Sequence, residues 1–176
     1  MIVYELIKET DAEKFWRFLN RLDRETDCMM YEPEEREKTT DLQSLREELK
    51  DAGNRKDFLM AAKENGELAG YIRAEKGRFA RTAHTAYIVV GILKEYRGRG
   101  IGTHFFEDLD QWAEKERIVR LELTVECRNE AAVHLYEKSG FKVEGVRERS
   151  MLVNGKYVDE YYMAKVLHGF GDVCVS

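Results

Sequence analysis

The chain has 176 residues, 43% of them hydrophobic, enough for one compact domain with its own core and too few for two comfortable ones. Its 29 basic and 34 acidic residues leave a net charge of -5, which argues against a general attraction to nucleic acid or to an anionic membrane. Cys28, Cys127 and Cys174 are odd in number, far apart and outside any C-x-x-C pair, a usage that fits a reducing cytoplasm rather than a disulfide framework.

The opening MIVYELIKET has neither a basic n-region nor a long apolar run, so no signal peptide or membrane span is expected and the protein is placed in the cytoplasm. Residues 2–7 form a first strand, and Thr10-Asp11-Ala12-Glu13 offers a capping box for a helix carrying Phe15, Phe18, Leu19 and Leu22 at helical spacing. From Asp23 to Thr39 the sole proline, Pro33, stands among charged residues, which indicates a loop or broken helix. A second helix over 41–52 turns Leu42, Leu45 and Leu49 inward and stops at Gly53.

FLMAAKE and ELAGYIRAE meet at Asn65-Gly66, a strong hairpin signal. A strand over 83–93 then enters a glycine-rich stretch, followed by an amphipathic helix to about residue 116 that carries Phe105, Phe106, Leu109, Trp112 and Ala113. LELTVEC at 121–127 alternates as a strand, 129–139 form a helix closed by Gly140, and two last strands flank Asn154-Gly155.

The informative segment is Tyr96-Arg97-Gly98-Arg99-Gly100-Ile101-Gly102-Thr103, set between an apolar strand and a helix. A helix start has unpaired N–H groups and about half a positive charge, and glycines let a phosphate approach the backbone. The two arginines add to that preference. A Walker motif is absent, and a dinucleotide fingerprint fails because Thr103 stands where its third glycine belongs. A glycine-rich turn with solvated arginines is the plain alternative.

The remaining pattern, R-x-x-G-x-G at Arg97, Gly100 and Gly102, resembles the pyrophosphate-binding motif of GCN5-related N-acetyltransferases (the GNAT superfamily). Asn129-Glu130-Ala131-Ala132-Val133-His134-Leu135-Tyr136-Glu137-Lys138-Ser139-Gly140-Phe141 is similar to that family's N-x-x-A-x-x-x-Y-x-x-x-G-F segment. The resemblance covers about residues 58–165 and is closest to the ribosomal-protein alanine and spermidine acetyltransferase branch. It implies an α+β fold (α/β, three-layer) with a mixed, mostly antiparallel sheet of six or seven strands, about four helices and splayed central strands. A single domain is expected over 1–176, with a helical substrate side at about 10–53 and an acetyl-CoA-binding core at about 58–167.

For the site, the resemblance implies that acetyl-CoA, as co-substrate, is held by Val90, Gly91, Ile92, Arg97, Gly98, Arg99, Gly100, Ile101, Gly102, Thr103, Asn129, Ala132 and Tyr136. Asn129 would bond the pantetheine arm, backbone N–H near Ile92 would polarise the thioester carbonyl, and Tyr136 would act as general acid on the departing sulfur. Asn129 also suits a plain N-cap, and Tyr136 a core position. Gly91 suggests a bulge that splays the strand, or relief of crowding.

Relatives that acetylate ribosomal proteins carry a basic glutamate where this chain has Thr124. Glu122 and Glu126 share its face by the two-residue strand period, so either is a candidate base acting through water, or an ordinary paired carboxylate. His84, His104, His134 and His168 form no ligand pattern, and no metal is expected. Cys127 shows no histidine pattern that would mark it as a nucleophile. Met30, Tyr31 and Glu32, read with Met29 as a mobile lip, and Tyr157 and Asp159 in the closing hairpin, are the candidate substrate contacts.

The favoured activity is acetyl transfer from acetyl-CoA to a primary amine of a small molecule or polyamine. A protein N-terminal amine is the alternative acceptor, and a non-catalytic CoA-binding regulatory module is the alternative of another class. An RNA-binding role for Arg97 and Arg99 would need further basic and aromatic clustering that the chain does not have. The resemblance is compatible with a homodimer.

Overall fold

A computed structural model describes residues 1–168. Cys174 lies outside them. The strands are β1 (Ile2–Leu6), β2 (Phe58–Glu64), β3 (Glu67–Lys76), β4 (Thr85–Ile92), β5 (Arg120–Glu126), β6 (Lys142–Val153) and β7 (Lys156–Val166). The helices are α1 (Ala12–Glu25), α2 (Glu35–Thr39), α3 (Leu42–Arg55), α4 (Ile101–Lys115) and α5 (Glu130–Lys138). The sheet is mixed and seven-stranded, in the order β1-β2-β3-β4-β5-β7-β6. β4 and β5 run parallel, and the β1–β2, β2–β3, β5–β7 and β6–β7 pairs are antiparallel.

Local chemistry sets most element ends. Both Asn-Gly turns take left-handed backbone at each residue, with φ of 54° and 83° at Asn65-Gly66 and 49° and 75° at Asn154-Gly155, as a tight hairpin demands. Two ends differ from the sequence expectation. The capping reciprocity falls at Lys8 and Asp11 on a short 3-10 turn over Glu9–Asp11, because the Asp11 carboxylate accepts from the Lys8 N–H at 2.9 Å. Thr10 and Glu13 do not form the box. Gly53 sits inside α3, which runs on until Lys56 turns left-handed at φ 57° and its N–H reaches the Gly53 carbonyl at 3.1 Å. Asp41 caps the other end by accepting from the Ser44 N–H at 2.7 Å.

The chain divides into two compact units, one of Met1–Glu75 with Val89–Phe105 and one of Lys76–Ile88 with Phe106 onward. In the first, Phe15, Phe18, Leu19 and Leu22 of α1 and Leu45 and Leu49 of α3 pack with Leu59, Ala61, Tyr71 and Leu93. Each buried leucine or phenylalanine among them contributes about 1.5–3 kcal/mol by leaving water. The Tyr71 ring meets Phe15 and Phe18 edge-on, and burial pushes its phenol up to about 12, so it stays neutral at physiological pH. Asp23, 1% exposed, takes two bonds from Arg36, at 2.6 and 3.1 Å. That pair ties α2 to α1 across the intervening loop.

In the second unit, Phe106, Tyr136 and Phe141 make tilted and edge-on ring contacts at 5.5 to 6.2 Å beside buried Leu109, Leu121, Leu123 and Met163. The buried faces of β5 and β7 are therefore those of Leu121, Leu123, Val125 and Met163. Arg120, Glu122, Thr124 and Glu126 point the other way.

Gly91 is explained by crowding. A Cβ there would come within 2.4 Å of Leu22 Cδ2 and 3.0 Å of Tyr71 Cε1. Gly91→Ala should cost about 1–3 kcal/mol by overpacking, read as a lowered denaturant midpoint. Combining it with Leu22→Ala should cost less than the sum of the two single changes, because the added methyl would enter the space that the truncated leucine vacates.

Candidate active site

The glycine turn opens α4 through two left-handed residues, Gly98 at φ 73° and Gly100 at φ 81°. A side chain at either position would be strained, yet the space beside both is open to 4 Å. The His104 N–H bonds the Gly100 carbonyl at 3.1 Å, which makes Gly100 the residue that caps the helix. The N–H groups of Ile101, Gly102 and Thr103 consequently have no carbonyl one turn earlier to bond. A positive helix end with open space in front is the kind of place that suits an anion.

The arginines of the turn are held in place. Arg97 Nε donates to the Ile92 carbonyl at 3.0 Å, and Arg99 straddles the Glu64 carboxylate at 2.6 and 3.1 Å while lying 5.3 Å over the Tyr96 ring. Arg99 in turn holds the Glu64 carboxyl below its usual range. The Ile92 carbonyl is thus engaged by the protein itself, and Val90 and Ile92 are half-buried beside buried Gly91.

At the end of β5, Asn129 takes the N-cap of α5, its Oδ1 accepting from the Ala132 N–H at 3.3 Å. Its amide nitrogen is left to serve as a donor. Tyr136 lies about two helical turns further on. It is 7% exposed, its ring fixed against Phe106 and Phe141.

The open face of β5 has two carboxylates in different circumstances. Glu122 accepts from Arg120 Nε at 2.8 Å, and the same guanidinium holds Glu144 at 2.5 and 3.0 Å. Those bonds, to Glu144 first and then Glu122, raise the guanidinium further above its ordinary value and draw the Glu144 carboxyl down. Glu126 is 4% exposed; its Oε2 accepts from Arg128 Nε at 2.6 Å, and its Oε1 is buried with no hydrogen-bond partner. Between them the Thr124 hydroxyl lies 2.7 Å from the Tyr87 hydroxyl. Burial, then the nearby Asp159 charge, push the Cys127 thiol up, which disfavours the thiolate a nucleophile requires.

A family model described as "Acetyltransferase (GNAT) family" matches residues 16–141. The chain belongs to the GNAT family of acetyltransferases. It is 32% identical over 106 residues to the L-amino acid N-acetyltransferase AaaT of Escherichia coli K12, across 58% of this chain and 64% of that relative, less than two thirds of the latter's length. To the spermidine N(1)-acetyltransferase of the same organism it is 29% identical over 157 residues, 88% of this chain and 82% of the relative. A GNAT-family acetyltransferase structure from Streptococcus pneumoniae superposes with a TM-score of 0.88 at 30% identity, covering 95% of this chain and 99% of that one.

The turn at the start of α4 fits the diphosphate of acetyl-CoA on structural grounds: open space and left-handed glycines in front of a helix start. Among the described residues, no group of three or more His, Cys, Asp or Glu is placed to hold a metal ion, and no helix is long and apolar enough to cross a membrane.

The candidate substrate contacts are scattered. Met30 is 73% exposed, the Tyr31 ring lies 4.2 Å under the Arg36 guanidinium, and the Glu32 N–H donates to Glu35 at 2.9 Å. Through Arg36 and Asp23 the segment expected as a mobile lip is anchored to α1. Tyr157 is exposed, and the Asp159 carboxylate is engaged by the Arg149 N–H at 2.7 Å. By strand alternation both point to the opposite face of β7 from Glu160 and Tyr162. Those two are cross-strand neighbours of Glu126 and Thr124, a relation that becomes visible only from the β5–β7 register.

Gly100→Val keeps the chain length but forces a branched side chain into left-handed backbone in front of the helix end. It should weaken CoA binding by at least about tenfold in calorimetry, a change equal to about 1.4 kcal/mol. Gly145→Ala, at a position with open space and no left-handed φ, should leave CoA affinity unchanged.

Proposed function

We propose that this acetyltransferase transfers the acetyl group of acetyl-CoA to a primary amine of a small molecule or polyamine, by direct attack within a ternary complex. The observation that carries this reading is the start of α4, which two left-handed glycines open with free space beside them. The likeness to a spermidine acetyltransferase over 88% of the chain supports an amine acceptor of this kind.

The thioester supplies an activated acetyl group; the protein must orient it, stabilise the developing oxyanion and protonate the departing thiolate. Backbone N–H near Ile92 serves the oxyanion. Tyr136 serves the sulfur, since a phenol keeps its proton at neutral pH and the two phenylalanines restrict its ring. The Asn129 amide nitrogen donates to the pantetheine arm while its oxygen caps α5.

An alkylamine with a pKa near ~10.4 costs roughly 4–5 kcal/mol to present neutral at pH 7, so a proton acceptor shortens the climb. Glu122 is engaged by Arg120, which also holds Glu144. Glu126, whose Oε1 has no partner within the protein, is the candidate acceptor.

Free thiol released from acetyl-CoA across a panel of amines tests the reading: at least one primary amine should give turnover well above hydrolysis. Tyr136→Phe should then lower kcat by about 100-fold or more with CoA affinity within about threefold of wild type. A chain that binds CoA but releases thiol with no amine would instead be a binding module.

A further inference from the structure

Glu126 is an unusual carboxylate for its surroundings. It is 4% exposed, its Oε2 is bonded by Arg128, and its Oε1 is shut away from solvent without a donor. A buried carboxylate oxygen left without a donor is costly, and folded proteins seldom retain such a defect without a use. Its directly opposed neighbour on β7 is another carboxylate, Glu160, 8% exposed. Like charges in this relation repel, and nothing in strand formation favours them.

The compensating cations lie to the outside. Arg128 and Arg147 have side chains 50% and 47% exposed, whereas the side chains of Glu126 and Glu160 are 3% and 11% exposed. Glu160 Oε2 is occupied by Arg147 at 3.1 Å and by the Ser150 hydroxyl at 2.8 Å. The inner side of the pair therefore presents negative charge with one oxygen unsatisfied. Thr124, Tyr87 and Tyr162 continue the same open face of the strands, with polar hydroxyls and ring surfaces suited to an alkylammonium.

We propose that Glu126, reinforced by Glu160, binds the ammonium group of the acceptor, with Oε1 accepting one of its N–H bonds. The proposal rests on the amine-acetyltransferase reading and deepens it by naming the group that recognises the acceptor. The acceptor class that follows is a primary alkylammonium without a carboxylate next to it, because a free α-carboxylate would meet two carboxylates here.

Glu126→Gln is the discriminating variant. The amide oxygen stays on Arg128 Nε, so the amide nitrogen takes the place of Oε1 and turns an acceptor into a donor without changing volume. Binding of spermidine and of n-butylamine to the CoA-loaded protein should weaken at least tenfold in calorimetry, and KM for a turned-over amine should rise in step. Affinity for CoA itself should stay within twofold. Glu126→Asp, which keeps the charge but withdraws it by one methylene, should fall between the two.

The Gln variant should melt close to wild type without amine, since its amide oxygen still accepts from Arg128 Nε. Equal binding of both amines to wild type and variant, or no binding of either to wild type, overturns the proposal. So does a variant that melts lower with unchanged amine binding, which would make Glu126 only the partner of Arg128. Failure of the parent reading looks different: wild type would release thiol with no amine while these binding differences persisted.

Discussion

The passage of the chain from β4 into α4 is the constraint from which the site follows. A helix can present its first N–H groups to a ligand only if no side chain caps them and the preceding backbone stays out of the way. Gly98 and Gly100 meet both conditions through positive φ and the absence of Cβ, and the Gly100 carbonyl still closes the first helical bond with His104. Buried Ile101 and Phe105 anchor that first turn, so the donors are held rigid without being covered. Rigidity matters because an anion site organised in advance loses no ordering entropy when its ligand arrives.

The loop arginines are pre-arranged in the same way. Arg97 is tied to the strand it has just left, and Arg99 to Glu64 at the end of the neighbouring hairpin strand. Arg99 is exposed, so its pair with Glu64 contributes little to stability. Its consequence is local: the guanidinium stands beside the helix end with a defined orientation.

On β5 the distribution of charge separates two glutamates that strand periodicity makes equivalent. One guanidinium, Arg120, joins Glu122 and Glu144, and that cluster is balanced by hydrogen bonds made within the protein. Glu126 is left with an oxygen that no protein group satisfies. Low dielectric surroundings strengthen a satisfied pair and penalise an unsatisfied one. The same residue type is therefore half-exposed and paired at Glu122, and buried with an unsatisfied oxygen at Glu126.

Much was legible in the chain itself. Asn65-Gly66 and Asn154-Gly155 announce their hairpins because left-handed backbone is a local requirement that few residues meet, and the glycine turn before an amphipathic helix announces an anion site for the same reason. Gly53 does not stop α3, because buried Leu49 and Ala52 hold the helix past it until Lys56 takes the left-handed turn. The sequence alone thus determined the element order, the two hairpins, the glycine turn into α4 and the family, all of which are written in local sequence patterns. Only the tertiary structure decided why position 91 must be glycine, that Arg36 anchors the loop before it to Asp23, and which glutamate of β5 is buried with an unpartnered oxygen. Each of those depends on partners brought from distant parts of the chain by strand register and helix packing, and no local pattern specifies them.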